Sequence, residues 1–435
     1  MIAVALRGLR HRPGGFVATF LSAFLGATLL MAFASLIDAA AGADPASAES
    51  LTTTAGIGGG WCLVIVAFAV TSTLSLSIRQ RAEQLELLRR VGATGPQLRR
   101  MIVGEAVVVA VAASVAAIPF GMLLGGVLLD LLKNTGQVAS PVVSAFGPVM
   151  WIVGFGVTLV GSLVAAVAAV RRTSRSVSKR SRPRARRIAA ALFLIVGTNC
   201  AVLTATLMDG KGIDAMQTAG QAGIWAAIGI ALLAPELSGL VTAVFAPLVR
   251  RVGAAGELAV LGVRSRPLAG AVMPVVMFTG LATGTVYMQA VENSAARGQI
   301  QPDYAQDIKT LNYVVVGMVT LFVAVMLVNT LIAATAARRR EFAQQRLAGS
   351  TRPGLLAMVA LEGLLATVTG VLGGTVASLF TILPFTSARV GGLRPEQSPL
   401  PYVVVVTIAV ALTTAAMLGA ARRATKGPAI AAIRG

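Results

Sequence analysis

Seven residues of the 435-residue chain recur in register 257 positions apart. Arg89, Gly92, Thr94, Pro96, Leu98, Met101 and Glu105 fall on Arg346, Gly349, Thr351, Pro353, Leu355, Met358 and Glu362. The chemistry open to this set is capping and charge-guided docking. In the first copy, RQRAEQLELLRRVGA, Leu85 and Leu88 lie three apart and Val91 continues the stripe, which gives one apolar helical face. Glu86 precedes Arg90 by four residues, the favoured order for a helical ion pair. Gly92 suits the position just past a helix end. Thr94 can cap the next helix, with Pro96 in its first turn. Each copy reads as a helix–turn–helix elbow, and two copies imply two equivalent docking surfaces.

Bond-making constellations are missing. The one histidine, His11, lies in a basic stretch, and Cys62 and Cys200 fall in apolar segments, so neither a disulfide framework nor a metal site is expected. There is no Ser/His/Asp set, no paired-carboxylate site and no G-x-x-x-x-G-K-[ST] phosphate loop; the nearest glycine–lysine pair is Gly210–Lys211. No catalytic residue and no cofactor bound by the chain itself are expected. Three acids stand in apolar surroundings. Glu236 follows Pro235 near the middle of a predicted span, where it is either a substrate or proton site or a hydrogen-bonded residue beside a proline kink. Glu105 and Glu362 each stand one turn into a long helix, placed to meet its positive end or a stalk arginine, in a structural or coupling role.

The elements that position these residues are membrane helices. Hydrophobic residues make up 56% of the chain and charged residues 12%, about half the charged share of a soluble domain. Mean hydropathy is +0.80. Apolar runs near the ~18–20 residues that cross a bilayer predict ten spans, at roughly 15–37, 59–78, 101–131, 146–170, 188–208, 222–249, 267–290, 311–337, 354–384 and 399–421. The first is read as a span and not as a cleavable signal. Of the 37 Lys and Arg, 31 fall in one alternating set of connections, which the positive-inside rule assigns to the cytoplasm together with both termini. The net charge of +20 is therefore topological, and nucleic acid is not an expected partner. The external connections are short, and 38–58 has room for no more than a small cap. Arginine far exceeds lysine in an Ala/Gly-rich chain, which points to a GC-rich, Gram-positive host.

A second register, shifted by 254, sets Arg10, Arg12 and Pro13 on Arg264, Arg266 and Pro267. The expected fold is thus all-α and integral to the membrane: ten transmembrane helices in two four-helix repeats joined by a two-helix insert, with helical elbows on the cytoplasmic side. The domains are 1–170, first repeat; 171–187, polybasic linker; 188–249, insert; and 250–435, second repeat.

The elbow residues resemble the FtsX-like permease family, the membrane subunits of mechanotransmission-class ABC transporters. Its pattern of a basic residue and Glu, a leucine-rich stretch, Arg, then Gly–Ala–Thr and a helix bearing Glu is similar to 85–94 with Glu105, and more loosely to 341–351 with Glu362. Gln84, Gln344 and Gln345 depart from it, as does the lack of a large extracellular domain. The resemblance implies a separate ABC ATPase, two copies per chain and carrying ATP and Mg²⁺. It would grip the elbows through Glu83, Leu85, Glu86, Leu88, Arg89, Arg90, Gly92 and Thr94, and through Glu341, Phe342, Arg346, Gly349 and Thr351. The implied activity is export or extraction of a hydrophobic or amphipathic molecule, an antibiotic or a lipid, reached from the bilayer. The alternatives are a force-transmitting regulator of the cell envelope and a proton-coupled carrier using Glu236.

Overall fold

A computed structural model describes residues 14–67, 70–71, 87, 91–175, 183–208, 214–265, 269–295, 302–392 and 398–428. Every regular element among them is helical. This is the expected answer to hydrocarbon, in which each backbone N–H and C=O must be satisfied within its own segment. Eight helices are long and apolar enough to cross a membrane, and nine if one bent pair counts as a single span. The sequence reading of ten differs at that pair and at 148–175, whose described apolar stretch, Pro148–Val164, is shorter than a span.

The chain divides into two compact units. The first holds α1 (Gly14–Ala40), α2 (Pro45–Thr54), α3 (Gly95–Asn134) and α4 (Pro148–Arg175). A π turn at Ala55–Gly59 continues α2 into a helix that reaches Ala67. Here α1 packs against α3 and α4, and α3 against α4. The 38–58 segment is bound tightly to this unit. Asp38, 8% exposed, accepts hydrogen bonds from the backbone N–H of Val149 (3.0 Å) and Met150 (2.8 Å), and so caps α4. Asp44 caps α2 by accepting from Ser47 N–H, and Ser47 Oγ accepts from Ala139 N–H. The bonds from Ser47 hold the Asp44 carboxyl below its ordinary 3.8.

The second unit holds α5 (Pro183–Leu207), α6 (Asp214–Leu232), α7 (Ala234–Arg250), α8 (Ala254–Ser265), α9 (Ala269–Ala295), α11 (Arg339–Leu347), α12 (Arg352–Val390) and α13 (Leu400–Ala424). Between α9 and α11, α10 (Pro302–Ala336) begins in the first unit and ends in the second. The most extensive pairing is α9 with α12, and α13 packs on both. They meet closely: a Cβ on Gly374 would lie 2.9 Å from the backbone nitrogen of Gly280. Small residues commonly permit such approach between membrane helices. Helix α6 packs against α5, α9 and α12.

Several predicted boundaries change: the span expected from 59 is helical from Pro45 and the one expected from 101 starts at Gly95, and two further changes have a local cause. The span expected over 222–249 is broken at Leu233 and bends by 65° between α6 and α7. Pro235, in the first turn of α7, has no N–H to continue the ladder from α6 across the break. The span expected to end near 384 runs to Val390. Arg389 remains helical there because its guanidinium meets Glu292 of α9 through two bonds of 2.7 and 2.9 Å.

Candidate functional site

The two elbows expected from the sequence have matching backbones at their turns. Gly92 and Gly349 have φ of 102° and 97°, a region that residues with a Cβ rarely enter. Thr94 and Thr351 follow with nearly identical cap geometry, φ −75° and ψ 153° and 155°. The Gln97 side chain accepts from Thr94 N–H (2.9 Å), while Thr351 Oγ1 accepts from Gly354 N–H (3.2 Å). Pro96 and Pro353 occupy the first turns of the long helices α3 and α12. At the end of α11, Gly349 N–H reaches Arg346 O and Ser350 N–H reaches Gln345 O. These bonds satisfy carbonyls the helix would otherwise leave orphaned.

In the first elbow Glu83, Leu85, Glu86, Leu88, Arg89 and Arg90 lie outside the described residues. Leu87 and Val91 are exposed, Val91 at 88%. Glu105 is half-buried in α3.

The second elbow is described throughout, and it sorts the expected docking residues by position. Phe342 is fully buried. Arg346 is half-buried and donates to the backbone carbonyls of Thr425 (3.1 Å) and Gly427 (2.7 Å) just past α13, while Arg352 donates to Lys426 O (3.0 Å). Phe342 and Arg346 therefore build the elbow from inside. The surface it presents is formed by Arg340, Gln344, Leu347 and Ala348, with Gly349 and Thr351 also exposed.

Glu341 and Glu362 both converge on Arg338, a residue the sequence reading passed over. Arg338 Nη2 donates to Glu362 Oε1 at 3.0 Å, and its Nη1 pairs with Glu362 Oε2. Its Nε reaches Glu341 Oε2 at 3.2 Å, and its Cζ stands 5.1 Å from the Phe342 ring centroid. Burial works against the charge on Arg338, but hydrogen bonds and attraction from Glu362 and then Glu341 outweigh it, so the guanidinium is held above its ordinary pKa. The arginine could have been found in the sequence, because Arg81 stands in the same 257 register and precedes Glu105 as Arg338 precedes Glu362.

Glu236 is placed differently from its expected position within an unbroken span. It sits in the first turn of α7, where its Oε1 accepts from Arg186 (2.7 Å) and Arg187 (2.9 Å) at the start of α5. Among the described residues, no group of three His, Cys, Asp or Glu is arranged to hold a metal ion.

Comparison with known proteins agrees with this geometry. A family model described as FtsX-like permease C-terminal matches residues 56–177 and 313–429, together more than half of the chain, as in a duplicated permease. Each matched region contains one elbow and the long helix after it. No curated protein matches the chain significantly.

Proposed function

The chain belongs to the FtsX-like permease family, and from that premise we propose that it is the permease subunit of an ABC transporter whose motor is a separate ATPase. As a multi-pass membrane protein of this family it supplies helices and grips, and the partner binds and hydrolyses ATP. In this reading ten helices cross the membrane as two four-helix repeats around a two-helix insert, with both termini and both elbows on the cytoplasmic side. Each elbow receives one ATPase subunit, since a dimeric motor needs two docks. ATP-driven closure moves the elbows, and the long helices α3 and α12 carry that motion across the bilayer to export or extract a hydrophobic or amphipathic molecule. Short external connections favour a substrate reached from the lipid.

The observation that carries the proposal is the recurrence of one turn geometry, Gly92 to Thr94 and Gly349 to Thr351, inside the two regions that match the family. Plain topology calls for basic residues in a connection; it does not call for the same positive-φ glycine, threonine cap and proline twice.

A force-transmitting regulator would use the same elbows and differ only in lacking a transported molecule. A proton carrier built on Glu236 has less support, because that carboxylate is shared by two arginines. The test is co-expression, one at a time, with each ABC ATPase of the host that lacks membrane helices of its own. Co-elution of one such ATPase with the tagged permease supports the proposal, and a permease that elutes alone in every case refutes it. Altered accumulation of an amphipathic drug in cells carrying the pair selects transport over force transmission.

A further inference from the structure

Arg338 stands at the corner where α10 ends and α11 begins, and its charge is shared by two helices. It binds Glu341 on its own elbow and Glu362 on α12. Glu362 is 1% exposed, and a third helix abuts the same carboxylate. A Cβ on Gly262 of α8 would lie 2.6 Å from Glu362 Oε1. A buried ion pair is weak evidence for net stability, since desolvation consumes most of the attraction. It is strong evidence for fixed geometry. The guanidinium fork is planar and presents its donors in set directions, and an unpaired carboxylate at this depth would be costly.

The consequence follows from the length of α12. Its 39 residues extend ~58 Å at ~1.5 Å per residue, enough to cross the bilayer. At its far end Arg389 is bound in the same two-bond manner to Glu292 of α9. The long helix is thus held to the elbow about three turns past its start, deeper than the one turn expected from the sequence, and to its main packing partner at its far end. The sequence repeats the first of these pairs: Arg81 and Glu105 stand 24 residues apart, as do Arg338 and Glu362.

We propose that Arg338 is the positioning residue that fixes elbow α11 to α12, so that elbow and long helix move as one body when the motor moves the elbow. The proposal rests on the reading of the elbows as grips, but the lock itself can be measured without a motor. Full-length permease in lipid nanodiscs, with Cys62→Ala and Cys200→Ser, carries spin labels at Arg339, exposed on α11 outside the surface the elbow presents, and at Leu372, more than half exposed. The wild-type pair gives a narrow distance distribution, and Arg338→Gln broadens it at least twofold. Where Arg338→Gln does not fold, Arg338→Lys keeps the charge but loses the fork and gives the smaller broadening. An unchanged distribution in the variant that folds overturns the proposal.

With the ATPase bound, a non-hydrolysable ATP analogue leaves the wild-type distance fixed. In the Arg338 variant the same analogue shifts that distance, although the ATPase remains bound and still hydrolyses ATP. A wild-type distance that changes with nucleotide also overturns the proposal. Absence of the ATPase from the wild-type preparation removes the grip reading and leaves the motor-free measurement to decide the lock.

Discussion

Glu236 and Arg186 form a contact of 2.7 Å that joins the start of α7 to the start of α5, with Arg187 on the same carboxylate oxygen. At the other end of α5, Thr204 bonds Thr218 near the start of α6. Helix α5 is therefore fastened at both ends, to α7 at its start and to α6 at its end, and the break at Leu233 falls beside the fastening to α7. Through its Oε1 this carboxylate holds a bend, while its Oε2 is buried without a hydrogen-bond partner among the described residues.

Glu236→Ala should leave two arginines without their anion and cost about 1.5–3 kcal/mol, the range for hydrogen bonds to charged groups. Thermal unfolding of the purified protein checks this. Glu236→Gln should fall between Ala and wild type, and drug accumulation in cells should follow the folded amount of protein and no more. A Gln variant that folds normally but abolishes transport would assign the residue a role in the substrate path.

Arg346 holds the segment after α13 through two backbone carbonyls. Arg346→Ala is expected to release it, and limited trypsin digestion should then cut at Lys426 at least several-fold faster than in wild type. The same contacts make Arg346 a poor probe of docking, because its loss damages the elbow before any partner is met. Leu347 and Val91, exposed at the two elbows, are the better positions.

Gly349→Ala places a Cβ at φ 97°, which costs roughly 1–2 kcal/mol. Hydrogen exchange should show faster opening of the last turn of α11, with α12 beyond Thr351 little changed.

Asp38→Ala removes the cap from α4 and is expected to cost about 1–2 kcal/mol, seen as faster exchange at Val149 and Met150. Asp44 adds a pH signature. Its carboxyl is held below the ordinary 3.8, so its contribution is complete above that value and is lost as pH falls through the lowered one. The protection of the first turn of α2, with exchange corrected for its intrinsic pH dependence, should therefore fall only in strong acid, and Asp44→Asn should flatten that response.

The class of fold was legible because it depends on properties summed along one segment, namely apolar length and the alternation of basic connections. The elbows were legible because Gly, Thr and Pro act on their own backbone within a few residues. The Arg338–Glu362 pair spans 24 residues and Glu236–Arg186 spans 50, and neither choice of partner is written in local pattern. Arg389 shows the same limit. It looks like a loop cation until Glu292, 97 residues away, extends the helix around it. The inward placing of Phe342 and Arg346 was not legible, because a single helix does not reveal which of its sides faces the rest of its own chain.

The central claim is that two elbows hold two motor subunits. Native mass spectrometry of the co-expressed complex tests it most directly, comparing wild type with Val91→Asp, Leu347→Asp and the double variant. The account predicts one permease with two ATPase subunits, one ATPase fewer in each single variant and none in the double. One ATPase per permease in wild type, or two retained in the double variant, would contradict it.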